Sequence, residues 1–312
     1  METLIACNLC GSADEETYAS KRGASTGRVF RIVRCRRCGL VYVNPRLTKA
    51  ENQELYGEAY FNGRGFDAAI NYVEIEQDDG ARAGERAGII EKIRALKPGL
   101  ESRVLDVGCG TGGLLRALVD AGYANVKGVE FSEYAGALAR AGGLPVVVGD
   151  VLDGVLGDEQ FDVINATEVI EHLRDPMAFF RHLKGMLRPG GVFIYSTGNT
   201  SSAYARSTGA QWPYLNPEGH LFYYSPETLE RYFRAVGLQP VHLEGMDRHL
   251  RRRLVRADER IAHSQLVYFG KGAPGLKGRV FRAAAALPEV VTRRALVEFH
   301  GRLRLPLAMQ GA

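Results

Sequence analysis

From about residue 102 the chain alternates short β-branched runs with segments of helical pattern. RVLDVG, VKGVEF, PVVVGD, FDVINA and GVFIYST read as five strands. GLLRALVDAG, EYAGALARAGG and PMAFFRHLKGMLRPG read as the helices between them. SQLVYFGKG, further along, reads as a last strand closing the sheet. Alternation of this kind predicts an α/β fold with a doubly wound, mostly parallel seven-stranded sheet covered on both faces. Ligands of such sheets sit beyond the carboxyl ends of the strands. Upstream, an amphipathic helix is expected to stop at Pro98-Gly99, in a stretch punctuated by Tyr56, Tyr60, Phe61, Phe66 and Tyr72. SPETLERYFRAVG predicts a helix with Ser225 as N-cap and Pro226 at the first helical position.

The composition, 46% hydrophobic and 24% charged, is that of an ordinary globular protein. The start METLIACNLC has neither a basic end nor an apolar core, and no window approaches 18 uninterrupted apolar residues. A cytoplasmic protein with reduced thiols and no transmembrane segment is therefore expected. The net charge of +4 is uneven: residues 1–45 hold seven basic against four acidic residues, and 245–312 hold fourteen against five. The acidic middle thus carries two basic ends, which read as solvated helix faces or as a grip for a polyanion.

Four of the five cysteines form two matching signatures, CNLCG (Cys7, Cys10) and CRRCGL (Cys35, Cys38), 24 residues apart. Each spacing lets one tight turn present two thiolates to one ion, and a hairpin brings both turns together as a closed tetrahedral site. A structural zinc is expected; iron in a rubredoxin-like site uses the same ligands.

The first strand of the sheet runs into DVGCGTGG, residues 106–113. Glycines 108, 110 and 112 allow a sharp turn and close approach to a ligand, yet dinucleotide folds use a related loop. The acidic residues decide between them. Asp106 precedes the glycines and suits an ammonium group. Glu130 ends the second strand, where a carboxylate holds both hydroxyls of a ribose. Asp150 follows the third strand and accepts from an adenine amine, with Val151 to pack on the ring. Ammonium, ribose and adenine in that order describe S-adenosylmethionine.

VLDVGCGTGG, VKGVEFS, VVVGDV, FDVINATEVIEHLRDP and LRPGGVFIYST together resemble the successive motifs of the class I, Rossmann-like S-adenosylmethionine-dependent methyltransferases. With the CxxC…CxxC ribbon and VYVNPR ahead of them and GHLFYYSPETLERYFRAVGL behind, the chain resembles a bacterial subgroup with an N-terminal zinc ribbon, over roughly residues 1 to 270. The resemblance implies Asp106, Gly108, Gly110, Gly112, Glu130, Phe131, Asp150 and Val151 as cofactor contacts, and leaves Cys109 as a small residue of that loop. It implies a zinc-ribbon-like module (1–45), a helical cap or linker (46–100), a methyltransferase domain (101–271) with a lid at 196–225, and a basic helical extension (272–312).

EVIEHL packs Glu168, Glu171 and His172 behind the fourth strand, where a helix would put the two glutamates on one face. By resemblance to ubiquinone-pathway O-methyltransferases and small-RNA terminal 2′-O-methyltransferases, these residues with His220 hold a divalent cation such as magnesium. Without a metal, His220 or Glu171 is the general base. Trp212, Tyr214, Tyr223 and Tyr224 are expected to line the lid over the acceptor. The leading expectation is O-methylation of a small-molecule or carrier-linked hydroxylated metabolite (a sugar, a phenol or a secondary-metabolite precursor). The alternative is an RNA methyltransferase that uses ribbon and tail. No DNA partner is expected, and a homodimer is open.

Overall fold

Antiparallel pairing builds the N-terminal sheet from β1 (Glu15–Arg22), β2 (Val29–Cys35) and β3 (Val41–Val43), with Glu15 opposite Cys35 and Ile32 opposite Val43. The computed structural model describes residues 1–239 except 67–69 and 78–81, and beyond them only 246–247, 264–265 and 269–270. Alternate residues of β2 enter the core: Phe30 and Ile32 are buried on one face, Val33 and Cys35 on the other.

Among the described residues four helices link this sheet to the next: α1 (Lys49–Leu55), α2 (Glu58–Phe61), α3 (Tyr72–Gln77) and α4 (Ala83–Leu96). Thr48 and Glu51 form a capping box at the start of α1. The last helix ends just before Pro98, as expected, and buries Ile89, Ile90 and Ile93 against Leu114, Leu118 and Tyr123. Tyr60, Phe61 and Phe66 are buried together with Ala135, with Tyr56 and Tyr72 packed around them.

The second sheet starts with β4 (Val104–Val107) and continues through α5 (Gly113–Asp120), β5 (Val126–Glu130), α6 (Glu133–Ala141) and β6 (Val146–Val148). It goes on with β7 (Phe161–Thr167), α7 (Pro176–Met186) and β8 (Leu187–Ser196). These are the five strands read from the sequence, and they pair in parallel in the order β8-β7-β4-β5-β6. Their near-continuous apolar runs fit strands covered on both faces. The helical run ending in MLRPG stops earlier than its pattern suggests: α7 gives way to strand at Leu187, because Pro189 disfavours helix in the residue before it.

A short helix, α8 (Ala203–Thr208), precedes strand β9 (Phe222–Tyr223) and helix α9 (Pro226–Ala235), which Ser225 caps as predicted. Strand β9 pairs with β3, so among the described residues the N-terminal sheet has four strands. The first core cluster is accordingly shared: Cys7, Cys35 and Tyr42 pack with Phe222, Tyr232 and Phe180. Beyond residue 239, β10 (Met246–Asp247) pairs with β11 (Ser264–Gln265), and β12 (Phe269–Gly270) lies antiparallel on β8. Among the described residues the large sheet thus has six strands, not the seven expected. The remainder of SQLVYFGKG and the basic extension 272–312 lie outside the described residues.

Candidate active site

At the carboxyl end of β4 the chain turns through Gly108 and Gly112, both in the left-handed region (φ 68° and 89°). A side chain at Gly108 would start 2.6 Å from Val169, and one at Gly112 would start 2.2 Å from Leu144. Both glycines therefore provide conformational freedom and close packing at once. At Gly110 (φ 55°) no atom lies within 4 Å of an added Cβ, so the loop leaves open space on that side. The hydroxyl of the next residue, Thr111, is buried with no protein partner. Such a cradle fits a ligand that brings its own donors and acceptors.

Three carboxylates stand at the carboxyl ends of the neighbouring strands β4, β5 and β6. Asp106 is buried, and its Oδ1 accepts from the Asn165 amide at 2.8 Å, while Thr167 donates to the Asn165 carbonyl oxygen at 3.1 Å. Glu130 accepts the N–H groups of Gly110 (2.7 Å) and Ser132 (2.8 Å). Burial raises its carboxyl, and those N–H bonds pull it back. Asp150 caps the turn 151–153 through Leu152 N–H at 3.0 Å, with Lys49 3.8 Å away. Phe131 stands edge-on to Tyr56, ring centres 6.3 Å apart, and Val151 is buried.

EVIEHL is not a regular α-helix. Glu168 takes a left-handed backbone (φ 53°), and Ile170–His172 is a single 3₁₀ turn. The expected shared helical face is therefore absent, yet Glu168 and Glu171 still converge. Tyr214 brings them together: its hydroxyl lies 3.2 Å from Glu168 Oε2 and closer still to Glu171 Oε1. Thr197 donates to Glu171 Oε2 (2.9 Å), and Ser196 donates to Glu168 Oε1 (3.0 Å). Burial raises both carboxyls, and Glu171's charge raises Glu168 further. One hydroxyl proton cannot serve two anions fully, so a proton retained by the pair fits the geometry.

Glu171, His172 and His220 each offer a ligand atom within 4.8 Å of the others. His172 Nδ1 lies 3.0 Å from the Gly219 carbonyl and 2.8 Å from the Tyr56 hydroxyl; His220 Nδ1 lies 2.8 Å from the Tyr214 carbonyl. A carbonyl only accepts, so each Nδ1 carries a proton, and in the neutral imidazole the lone pair is then on Nε2. Metal-binding histidines are oriented in this manner. Tyr56 ties the two halves of the site together, because its backbone carbonyl also accepts the Ser132 hydroxyl at the start of α6 (2.7 Å).

The four remaining cysteines close a separate cluster. Cys7 Sγ is 3.5 Å from Cys38 Sγ, and Cys10 Sγ is 3.5 Å from Cys35 Sγ; all four lie within 4.8 Å of one another. These separations exclude disulfides and approach the roughly 3.8 Å edge of a tetrahedron with 2.3 Å zinc–sulfur bonds. The Cys7 contact, then burial, raises the Cys38 thiol, a shift that a bound dication would reverse.

A methyltransferase-domain family matches residues 81–243, just over half of the chain. The chain belongs to the S-adenosylmethionine-dependent methyltransferases. Ubiquinone biosynthesis O-methyltransferase of Bordetella avium is 33% identical over 172 residues, 51% of this chain and 71% of that protein. Its counterpart in Bordetella bronchiseptica is 34% identical over 175 residues, 52% and 71% of the two chains. In fold, the methyltransferase is similar to the crystal structure of a SAM-dependent methyltransferase from Archaeoglobus fulgidus, with a TM-score of 0.50 and 19% identity over 64% of this chain and 99% of that one. Among the described residues no helix is long and apolar enough to cross a membrane.

The expected lid residues divide. Tyr214 reaches the carboxylates, whereas Trp212 and Tyr223 are buried in the N-terminal core and Tyr224 donates to the Ile170 carbonyl at 2.8 Å. Asn165, Thr197 and Glu218 carry hydrogen bonds at or beside the site that the sequence reading does not single out. An amide inside the apolar run FDVINA was a readable signal for Asn165; nothing local marked the other two.

Proposed function

We propose that this methyltransferase transfers the methyl group to a hydroxyl of a small-molecule or carrier-linked metabolite bound at Glu171, His172 and His220. The observation that carries the reading is the convergence of these three residues at the carboxyl end of β7, directly behind Val169, which packs on the cofactor-loop glycine Gly108. When bound, S-adenosylmethionine supplies an electrophilic methyl on a sulfonium. Asp106, Glu130 and Asp150 would hold its ammonium, ribose and adenine, and the glycine loop would let the backbone approach. The remaining task is to align the acceptor and remove its proton. In the absence of a metal the His220 Nε2 lone pair serves that step, with Glu171 as the nearby carboxylate.

The donor set of one carboxylate and two Nδ1-anchored imidazoles also fits a divalent cation, which supplies a Lewis acid that lowers a hydroxyl's pKa. Two comparisons support a hydroxylated acceptor, both being proteins named O-methyltransferases. The four-cysteine cluster is read as a structural zinc site. Around it Arg36 faces Asp14 and Glu16, and Arg34 stacks on Tyr18, an arrangement that favours a packing role over RNA contact.

The test is transfer of labelled methyl from S-adenosylmethionine to panels of catechols, vicinal diols, amines and carbon acids. O-methyl products that disappear in His220→Gln are expected. Products found only on nitrogen or carbon would overturn the reading.

A further inference from the structure

Glu218 is fully buried, and its carboxylate belongs to neither the cofactor loop nor the Glu168–Glu171 pair. It accepts the backbone N–H groups of Ser25 (2.9 Å) and Thr26 (2.7 Å), both in the turn between β1 and β2. Gly23 in the same turn presses on it: an added Cβ would start 2.3 Å from the carboxylate. Asn52 of α1 donates to the Glu218 carbonyl at 3.3 Å. Directly downstream, the Gly219 carbonyl faces His172 Nδ1, and His220 follows. Leu221 N–H then donates to the Glu171 carbonyl at 2.8 Å, while its own carbonyl accepts Val43 N–H at 2.9 Å, and residues 222–223 pair with β3. His220 is thus held on both sides by the N-terminal module.

We propose that Glu218 is a positioning residue, through which the β1–β2 turn fixes the orientation of the His220 imidazole. The proposal rests on the placement of His220 in the acceptor site. It gives the four-cysteine module a role in the reaction: the module holds one wall of the acceptor site in register with the other. A buried carboxylate with two charge-assisted N–H bonds is a stiff joint. Its neutral isostere must turn an amide N–H toward a backbone N–H, which breaks one of the two.

The test is the ¹⁵N NMR spectrum of His220 at neutral pH in the full chain, assigned with His220→Gln. Glu218→Gln and Gly23→Ala disturb the joint from its two sides, and Gly84→Ala, in open space on α4, is the control. The parent is expected to show a single tautomer, protonated at Nδ1. Both joint variants are expected to lose it for a mixture, with His182 unchanged and S-adenosylhomocysteine still bound. A merely structural role would lower the melting temperature and leave the tautomer alone. If Gly23→Ala does not fold, Glu218→Gln carries the test. A His220 spectrum identical to the parent's in the folded variants overturns the proposal. A changed spectrum, with methyl transfer undiminished in His220→Gln, upholds the positioning and sinks the proposed role of His220 instead.

Discussion

The Tyr214 hydroxyl donates to the buried carboxylate of Glu171 and so fixes where that carboxylate points. The same oxygen is 3.2 Å from Glu168, and the same residue's carbonyl anchors His220. Tyr214→Phe removes the hydroxyl and leaves a buried carboxylate short of a donor. A loss of about 1–3 kcal/mol in unfolding free energy is expected, measured by denaturant titration at neutral pH. An unchanged midpoint would show that another group replaces the hydroxyl.

Burial, and then the charge of Glu171, raises the Glu168 carboxyl. The folded chain therefore keeps that proton to higher pH than the unfolded chain, and stability is lost as pH rises through the folded pKa. Glu168→Gln removes the loss. In metal-free protein the gain in melting temperature over the parent is expected to be smallest near about pH 5 and to grow towards about pH 8. A gain that shrinks with rising pH contradicts the assignment.

Asp106 of β4 accepts a hydrogen bond from the Asn165 amide of the adjacent strand β7. Asp106→Asn is expected to weaken S-adenosylhomocysteine binding by about tenfold or more, the scale of one hydrogen bond to a charged group. Asn165→Ala, which leaves the carboxylate but frees its direction, is expected to lose less. Calorimetry ranks the two, and a larger loss in Asn165→Ala would reverse their roles.

Cys7 and Cys35 share a core with Phe180 and Tyr232, and β9 completes the N-terminal sheet. The four-cysteine module and the methyltransferase domain are therefore expected to unfold in a single calorimetric transition. A thiol-directed chelator should lower that transition rather than split it. Two separate transitions would show that the module is an independent appendage.

Five strands, the glycine loop and the acidic strand ends were legible in the sequence because each is local: apolar runs, turn residues and a carboxylate at a fixed offset. The N-cap of α9 was legible for the same reason. The non-local parts were not. Nothing in GHLFYYS announces that Phe222 and Tyr223 pair with β3, since that ladder joins residues some 180 apart in sequence. The convergence of Glu168 and Glu171 expected from EVIEHL is present, but for a different reason. The glutamates meet through Tyr214, forty-odd residues away, and not through helical spacing. Trp212 and Tyr223 read as lid residues because they follow the last parallel strand. Their burial in the N-terminal core reflects a partner sheet that local patterns do not reveal.

The most direct test of the central claim, that Glu171, His172 and His220 form one functional centre, is calorimetric titration of Mn²⁺ into zinc-loaded protein saturated with S-adenosylhomocysteine. Saturable binding in the parent is predicted, lost in Glu171→Ala while S-adenosylhomocysteine affinity is retained. No saturable binding in the parent, or binding undiminished in Glu171→Ala, would contradict the reading of these residues as a divalent-cation site.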